Sequence, residues 1–561
     1  MSYALSSGVS GLQAHQEMLD VAGNNLANVN TTAFKASRVG FAELLSQTLE
    51  QASQPTGNLG GTNPKQMGSG VTIGSITPDM TQGSIVNTGR SLDAAIEGEG
   101  YFVVSNGDRA LYTRAGGFGV DASGALVDPA TGYRVQRIGS TGESDGFQIS
   151  RDGDIRIPFG VALPAKATTQ VTLTGNLSSS AAPAARAQVL VSSTAYTMEG
   201  QEALATVPID QLDQFRGGSG PNGQLGAGQT GTLTISGFHR DGTAWDSGLT
   251  FTVTADTTVN DLIDHLNTQV LRDATASFVG GKIRLTDNQA GPSKSDLKLS
   301  YAGDGTFATP PYFQVATVGG DESKSVNIAV HDSQGGKHVL SAALVRTDTV
   351  NTWDVILTSI TGNVVALEPE NRRVSGLSFD PQTGAFAGIP ETEAGRFLVT
   401  FAHDVDHPQA IALHFGTAGS FDGLTQFAGN STAVAREQDG YEAGNLSAVS
   451  IRGDGTLVGA FTNGIKKDLA TLQVALFNNP AALQSAGGGY YVPSANSGGA
   501  VATQAMSTGA GVIHGSALEK SNADVATEFV NMIEAQNGYQ ANARTIRVAN
   551  DILRELTSLI R

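Results

Sequence analysis

Apolar residues recur every seven positions at both ends of this chain. Leu5, Leu12, Leu19 and Leu26 do so near the start, and Leu518, Val525, Met532, Tyr539, Ile546, Leu553 and Ile560 near the end. A seven-residue apolar repeat marks a helix seam that packs against other helices. The spacing predicts a first helix from about Tyr3 to Asn28 and, after the capping-box form Ser521-Asn522-Ala523-Asp524, a last helix of about 40 residues. Gln16, Gly23, Gln536 and Asn550 stand where a strong coiled coil would place Leu or Ile. A seam this narrow buries little area, so either helix alone should be marginal in water. The design implied is a chain whose ends pair with each other and with copies of themselves. That is a polymer subunit rather than an enzyme.

Composition narrows the class further. A chain of 561 residues should hold three or four domains, and its 70 Gly against 6% aromatic residues imply many turns between short strands. A net charge of −18 argues against nucleic acid and anionic membrane as partners. With no cysteine, disulfides, thiol catalysis and Cys-ligated zinc are all excluded. The start MSYALSSGVSGLQAHQ lacks the basic-then-apolar order of a cleavable signal, and no apolar run of about 18 residues predicts a membrane span.

Between the ends, strand signals dominate. Gly57 to Gly74 is Gly-, Asn- and Pro-rich and reads as an extended connector. Tyr101 to Val104, Arg109 to Thr113 and Gly117 to Val127 read as strands with Asp-Gly turns, repeated at Asp152, Asp332, Asp380 and Asp454. Residues 217 to 231 hold seven glycines in fifteen positions and read as a mobile loop. From there to about Tyr301 lies a mixed unit: strands at Gly231 to Ser236 and Leu249 to Thr254, a helix from Val259 to about Leu271, and a hairpin around Gly280-Gly281. With signals of its own and Gly-rich flanks, it should fold separately and be dispensable for assembly.

The search for chemistry returns little. His403, Asp404, Asp406 and His407, with His414 beyond, are the sharpest metal candidate. Pro408 would break a helix placing both imidazoles on one face, so a polar loop is the favoured reading. Gly218 to Gly223 and Gly226 to Gly231 both match G-x-G-x-x-G, but a strand rather than a helix follows, leaving a phosphate no helix N-terminus. The Asp-Gly turns lack the acidic ladder of a calcium loop. No nucleophile elbow and no P-loop occurs. The expectation is no catalytic residue, no cofactor and no metal.

The termini resemble a family. LDVAGNNLANVNTTAFKASRVGF (Leu19 to Phe41) is similar to the N-terminal signature of flagellar rod and hook axial proteins, with Ala33 where Gly is usual. Ser521 to Arg561 matches their C-terminus, and Gly538 is unusual inside that helix. Gln82 to Val104 and Tyr112 to Asp128 look like the β domain shared by hook and distal rod. The length, with Val326 to Leu357 and Asp439 to Gly464, resembles the hook branch.

The fold class expected is mixed and multidomain: paired, coiled-coil-like terminal α-helices, several mainly-β domains and one α+β insertion. Its division is 1–30 with 518–561 as helical inner tube, and 31–84 with 505–517 as extended connector. Then come 85–165 with 434–504 as one β domain, 166–186 with 302–433 as a second, and 187–301 as an inserted outer domain. The resemblance implies a structural subunit of a flexible, torque-transmitting tube around an export channel. Leu5, Leu12, Leu19, Leu26, Val525, Met532, Tyr539, Ile546, Leu553 and Ile560 would form its assembly interface. It implies self-association, contact with flagellar rod, hook-cap and hook-associated junction proteins, and passage through the flagellar type III export apparatus without a cleaved signal. It implies no nucleic acid and no membrane insertion. The alternatives are a hook-associated or filament-type protein, which would lack the Gln82 to Asp128 block, and a secreted β-rich adhesin or hydrolase, which would need a convergent site.

Overall fold

The structure is a computed structural model that describes residues 2–57, 60–180, 186–320, 323–390, 395–507 and 509–559. The chain is mostly β and multidomain, with three α-helices among the described residues: α1 (Ser2–Ala27), α2 (Val259–His265) and α3 (Val525–Leu559). It divides into two compact units, Met1–Ala162 with Asn445–Arg561, and Leu163–Gly444.

In the first unit the two halves of the chain are interleaved strand by strand. Tyr101–Ser105 pairs with Ala110–Thr113 on one side and Arg134–Val135 on the other, and its first two residues pair with Val474–Leu476. Ala94–Glu97 pairs with Val512–Gly515, and Ile85–Asn87 with Ala517–Glu519. Leu518, read above as the first heptad position, therefore lies in a strand. The C-terminal helix starts only at Val525, where Asp524 accepts from the Thr527 amide and hydroxyl; Asp524, not Ser521, is its cap. The Asp-Gly turns form as expected: Asp121 Oδ1 accepts from the amides of Ser123 and Ala125.

The stretch after α1, expected as an extended connector, is built of paired strands. Ser37–Glu43 pairs with Val71–Pro78, and Ser46–Glu50 with Lys65–Gly68, as one long antiparallel ribbon. Toward its tip apolar side chains stay in solvent, Leu45 at 80% and Leu49 at 61% exposure. A two-stranded ribbon alone is marginal in water.

The second unit is built on the five-stranded antiparallel sheet Ser323–His331, Lys337–Arg346, Thr352–Ile360, Arg373–Phe379 and Phe386–Gly388. Strand alternation sends Leu340, Ala342, Leu344, Trp353, Val355 and Leu357 into one core, facing a second sheet around Gln170–Ser178. The opposite face of the same strands carries Ala343, Val345 and Ile356, which are buried in a second core with the mixed segment. The unbroken apolar runs at 342–345 and 355–357 have this cause, since a strand covered on both faces shows no alternation. Phe313–Thr317 pairs with Val189–Ser192, so the mixed segment extends past residue 301. Arg372 Nε lies 2.5 Å from Asp296, and Arg373 bridges Asp354 and the Ser293 carbonyl. The segment expected to fold separately thus shares its core and buried charges with the sheet. Its helix α2 starts in a capping box between Thr258 and Asp261, and its Gly280-Gly281 turn has φ of 60° and 69°.

Val434–Gln438 runs beside Gln170–Ser178, and Asp439 ties the pair. Burial would raise its carboxyl, but hydrogen bonds from Lys166, the Thr169 hydroxyl and the Gln170 and Thr169 amides hold it well below the usual carboxylate range. A depressed folded-state value means stability that is present above the unfolded pKa and lost as pH falls through the folded one. Asp439→Asn should lower the thermal midpoint at neutral pH by roughly 2–4 °C per kcal/mol lost, and the gap to wild type should close in strong acid. A gap that persists in strong acid would refute the assignment.

Candidate assembly interface

The chemical candidates do not converge. His407 is 84% exposed and bonds Asp404, whereas His403 turns to Ser333 and Asp332. His414 is exposed at a strand end, and no metal-binding group of three His, Cys, Asp or Glu occurs among the described residues. The Gly-rich run is closed on itself. Gln229 Oε1 accepts from the Ser219 amide and hydroxyl and from the Gly226 amide, and Asp210 accepts from the Leu225 amide.

The helices meet through small residues. On α1 the buried positions are Gly8, Gly11, Ala14, Ala22 and Asn25; on α3 they are Glu528, Ala535 and Ala549, with Asn542 half-buried between. A Cβ on Gly8 would lie 2.9 Å from Ile546 Cγ1, and one on Gly11 2.7 Å from Asn542 Oδ1. One on Gly538 would lie 2.5 Å from the His15 ring, which explains a glycine in mid-helix. The same ring meets Phe41 of the ribbon, centroids 5.4 Å apart. At the root of the pair, Asn25 donates to Glu528 at 3.1 Å and to the Ser37 carbonyl at 2.8 Å.

The predicted heptads flank this seam. Leu5, Leu12, Leu19 and Leu26 are half-buried, as are Met532, Tyr539, Ile546 and Leu553. Val525 is 41% exposed, and Ile560 lies outside the described residues. Gln16, Gln536 and Asn550 face solvent, and nothing lies within 4 Å of a Cβ on Gly23. The seam partners sit one residue earlier, at His15, Ala22, Ala535 and Ala549. Heptad reasoning from apolar residues missed this series because glycine, alanine and asparagine carry no hydrophobic signal; the seven-residue spacing of Glu528, Ala535, Asn542 and Ala549 was the signal available. Apolar side chains remain uncovered on α3: Phe529 at 49%, Ile533 at 55%, Val548 at 52% and Ile552 at 44%. Single exposed apolar residues are common, but two i,i+4 pairs of them on one helix, Phe529 with Ile533 and Val548 with Ile552, mark an interaction surface.

Ala33, where the resembled family has Gly, adopts φ 57° with its amide donating to the Glu519 carbonyl. A left-handed non-glycine residue costs about 1–2 kcal/mol.

Two helices from opposite ends, rooted together on interleaved β structure and with apolar side chains left uncovered, have the build of a structural subunit that associates through its ends. Family models agree along the chain. Residues 5–35 match the flagella basal body rod protein model and 514–559 the flagellar basal body rod FlgEFG C-terminal model. Residues 95–178 match the flagellar hook protein FlgE/F/G D1 domain, and 304–441 the FlaE D2 domain. The flagellar hook proteins FlgE of Treponema pallidum and Borreliella burgdorferi are 33% and 31% identical, each alignment covering all of both chains. FlgE of Salmonella typhimurium is 26% identical over 99% of this chain and all of its own. The chain belongs to the flagellar hook protein family, whose members are structural subunits rather than enzymes. Family membership implies self-polymerisation in the flagellar hook. No described helix is long and apolar enough to cross a membrane.

Proposed function

We propose that this chain is the structural subunit of a bacterial flagellar hook, polymerising into a flexible tube that passes motor torque to the filament and encloses the export channel. The observation that carries the reading is the two uncovered pairs Phe529 with Ile533 and Val548 with Ile552 on a helix already packed against its partner helix. A second copy is the occupant with matching chemistry, since every copy brings the same pairs and exposed apolar side chains on its ribbon. Weak, exchangeable contacts between Gly-rich polar domains suit a tube that bends as it turns.

In this reading the helices within residues 1–30 and 525–559 pair in a coiled-coil-like inner tube, with 31–84 as the joint. The β domains 85–165 with 434–504 and 166–186 with 302–433 lie outside it, and 187–301 is an α+β outer segment. Leu5, Leu12, Leu19, Leu26, Val525, Met532, Tyr539, Ile546, Leu553 and Ile560 contribute to subunit contacts. Rod, cap and junction proteins are the further partners. Export proceeds through the flagellar type III apparatus, without a cleaved signal, to an extracellular hook.

Protease treatment of monomer and of assembled tubes tests this. Monomer should lose about 30 to 75 residues from the start and roughly 40 from the end, because a narrow seam leaves the helices marginal. Tubes should resist. Equal protection of both ends in free monomer would contradict the reading.

A further inference from the structure

The roots of both terminal helices meet at a buried cluster of charge. Lys35 Nζ lies 2.6 Å from Glu519 Oε1, with side chains 1% and 0% exposed. Arg114, 4% exposed, places Nη1 3.7 Å from the other carboxylate oxygen and its guanidinium 4.8 Å from the Tyr101 ring centre. Lys35 also donates to the Thr81 carbonyl, and the Gly83 amide donates to Glu519. One carboxylate therefore joins Lys35 beyond α1, the residue after the β-domain strand Ala110–Thr113, and the last strand before α3.

Stability alone is a weak reason for such a cluster. Buried ion pairs are commonly neutral against apolar residues of the same size, and their best-attested use is to fix a register. Register at this place rests on short ladders. The strand Ala517–Glu519 pairs with Ile85–Asn87 through three residue pairs, and Val512–Gly515 just before it with Ala94–Glu97 through four. A slip of two residues would keep each side chain on its face, so burial would resist it weakly. The same slip would carry Glu519 about 6.8 Å along the strand, leaving two buried cations without their anion. It would shift α3 by a similar distance, more than four residues of helix rise, and move Asn542 and Ile546 off Gly11 and Gly8.

We propose that Lys35, Glu519 and Arg114 form a charge lock that sets the register of the C-terminal strand, and through it the alignment of the two terminal helices. They are positioning residues for assembly. The assembly consequence rests on the proposed hook function; the register does not.

The full chain provides the test, because it has no cysteine of its own. Val86 and Leu518 are cross-strand partners, so V86C/L518C should form a disulfide in the native register alone. In the wild-type triad cross-linking should approach completion. In K35M/R114M/E519M it should fall at least several-fold while the thermal midpoint stays within a few degrees, and tubes should become sparse and irregular. E519Q, which keeps the side-chain shape, should also lose cross-linking, and it decides the matter if the triple variant does not fold. Cross-linking at the wild-type level in E519Q or in a folded triple variant would overturn the lock. Lost cross-linking with normal tubes would uphold the register and overturn its role in assembly.

Discussion

Excising residues 187–301 and joining the ends with a short linker should unfold the second unit rather than yield a slimmer subunit. Ala343, Val345 and Ile356, each 3% exposed or less, would lose the cover of their outer face. Phe313–Thr317 would lose its partner strand Val189–Ser192. Arg372 would lose Asp296, leaving a buried cation unpaired. Exposing a buried Val, Ile or Phe costs about 1.5–3 kcal/mol each, so the total is on the order of a domain's whole stability. Circular dichroism melts check this. The excised chain should lose one cooperative transition, and a melt retaining the wild-type second-unit midpoint would show that the outer segment is a passenger.

The second large effect is expected in the seam. Gly11→Leu, or Gly538→Leu, should wedge the helices apart, since even a Cβ at either site meets Asn542 or His15 below 3.0 Å. Overpacking of this kind costs about 1–3 kcal/mol, enough to undo a helix pair that is marginal on its own. The variants should keep the melts of the β domains, lose helical signal in the monomer, and form no tubes. Gly23→Ala is the control: with nothing within 4 Å, it should add helix stability of up to about 1 kcal/mol and leave tubes intact. Tubes from Gly11→Leu at the wild-type yield would refute close packing of the seam.

Much of this molecule was legible from its residues, in a pattern with physical causes. The helices at 2–27 and 525–559 follow from long heptads, and the Asp-Gly turns and the Gly280-Gly281 hairpin from backbone chemistry that few residues satisfy. The phase of the helix pair was not legible from apolar residues. Counting four onward from Leu12 and Leu19 gives Gln16 and Gly23, whereas counting three gives His15 and Ala22, and only packing distinguishes the two. The ribbon at 37–78 was hidden because none of its strands has a fully buried position, and Ser46–Glu50 and Lys65–Gly68 are exposed throughout. The attachment of the outer segment was hidden for the opposite reason. Ala343, Val345 and Ile356 lie within runs that are apolar at every position, so the sequence does not say what covers the second face.

The uncovered apolar pairs on α3 bear the central claim, and they can be changed without disturbing a single chain. Ile533 and Val548 are 55% and 52% exposed, so Ile533→Asp with Val548→Asp should leave the monomer's melts and helical content unchanged. In a tube the same carboxylates would be buried against a neighbouring copy, at a cost of several kcal/mol per unpaired charge. Electron microscopy of the purified double variant under conditions that polymerise the wild type is the measurement. The account predicts folded monomer and no tubes; tubes of normal diameter and yield would contradict it.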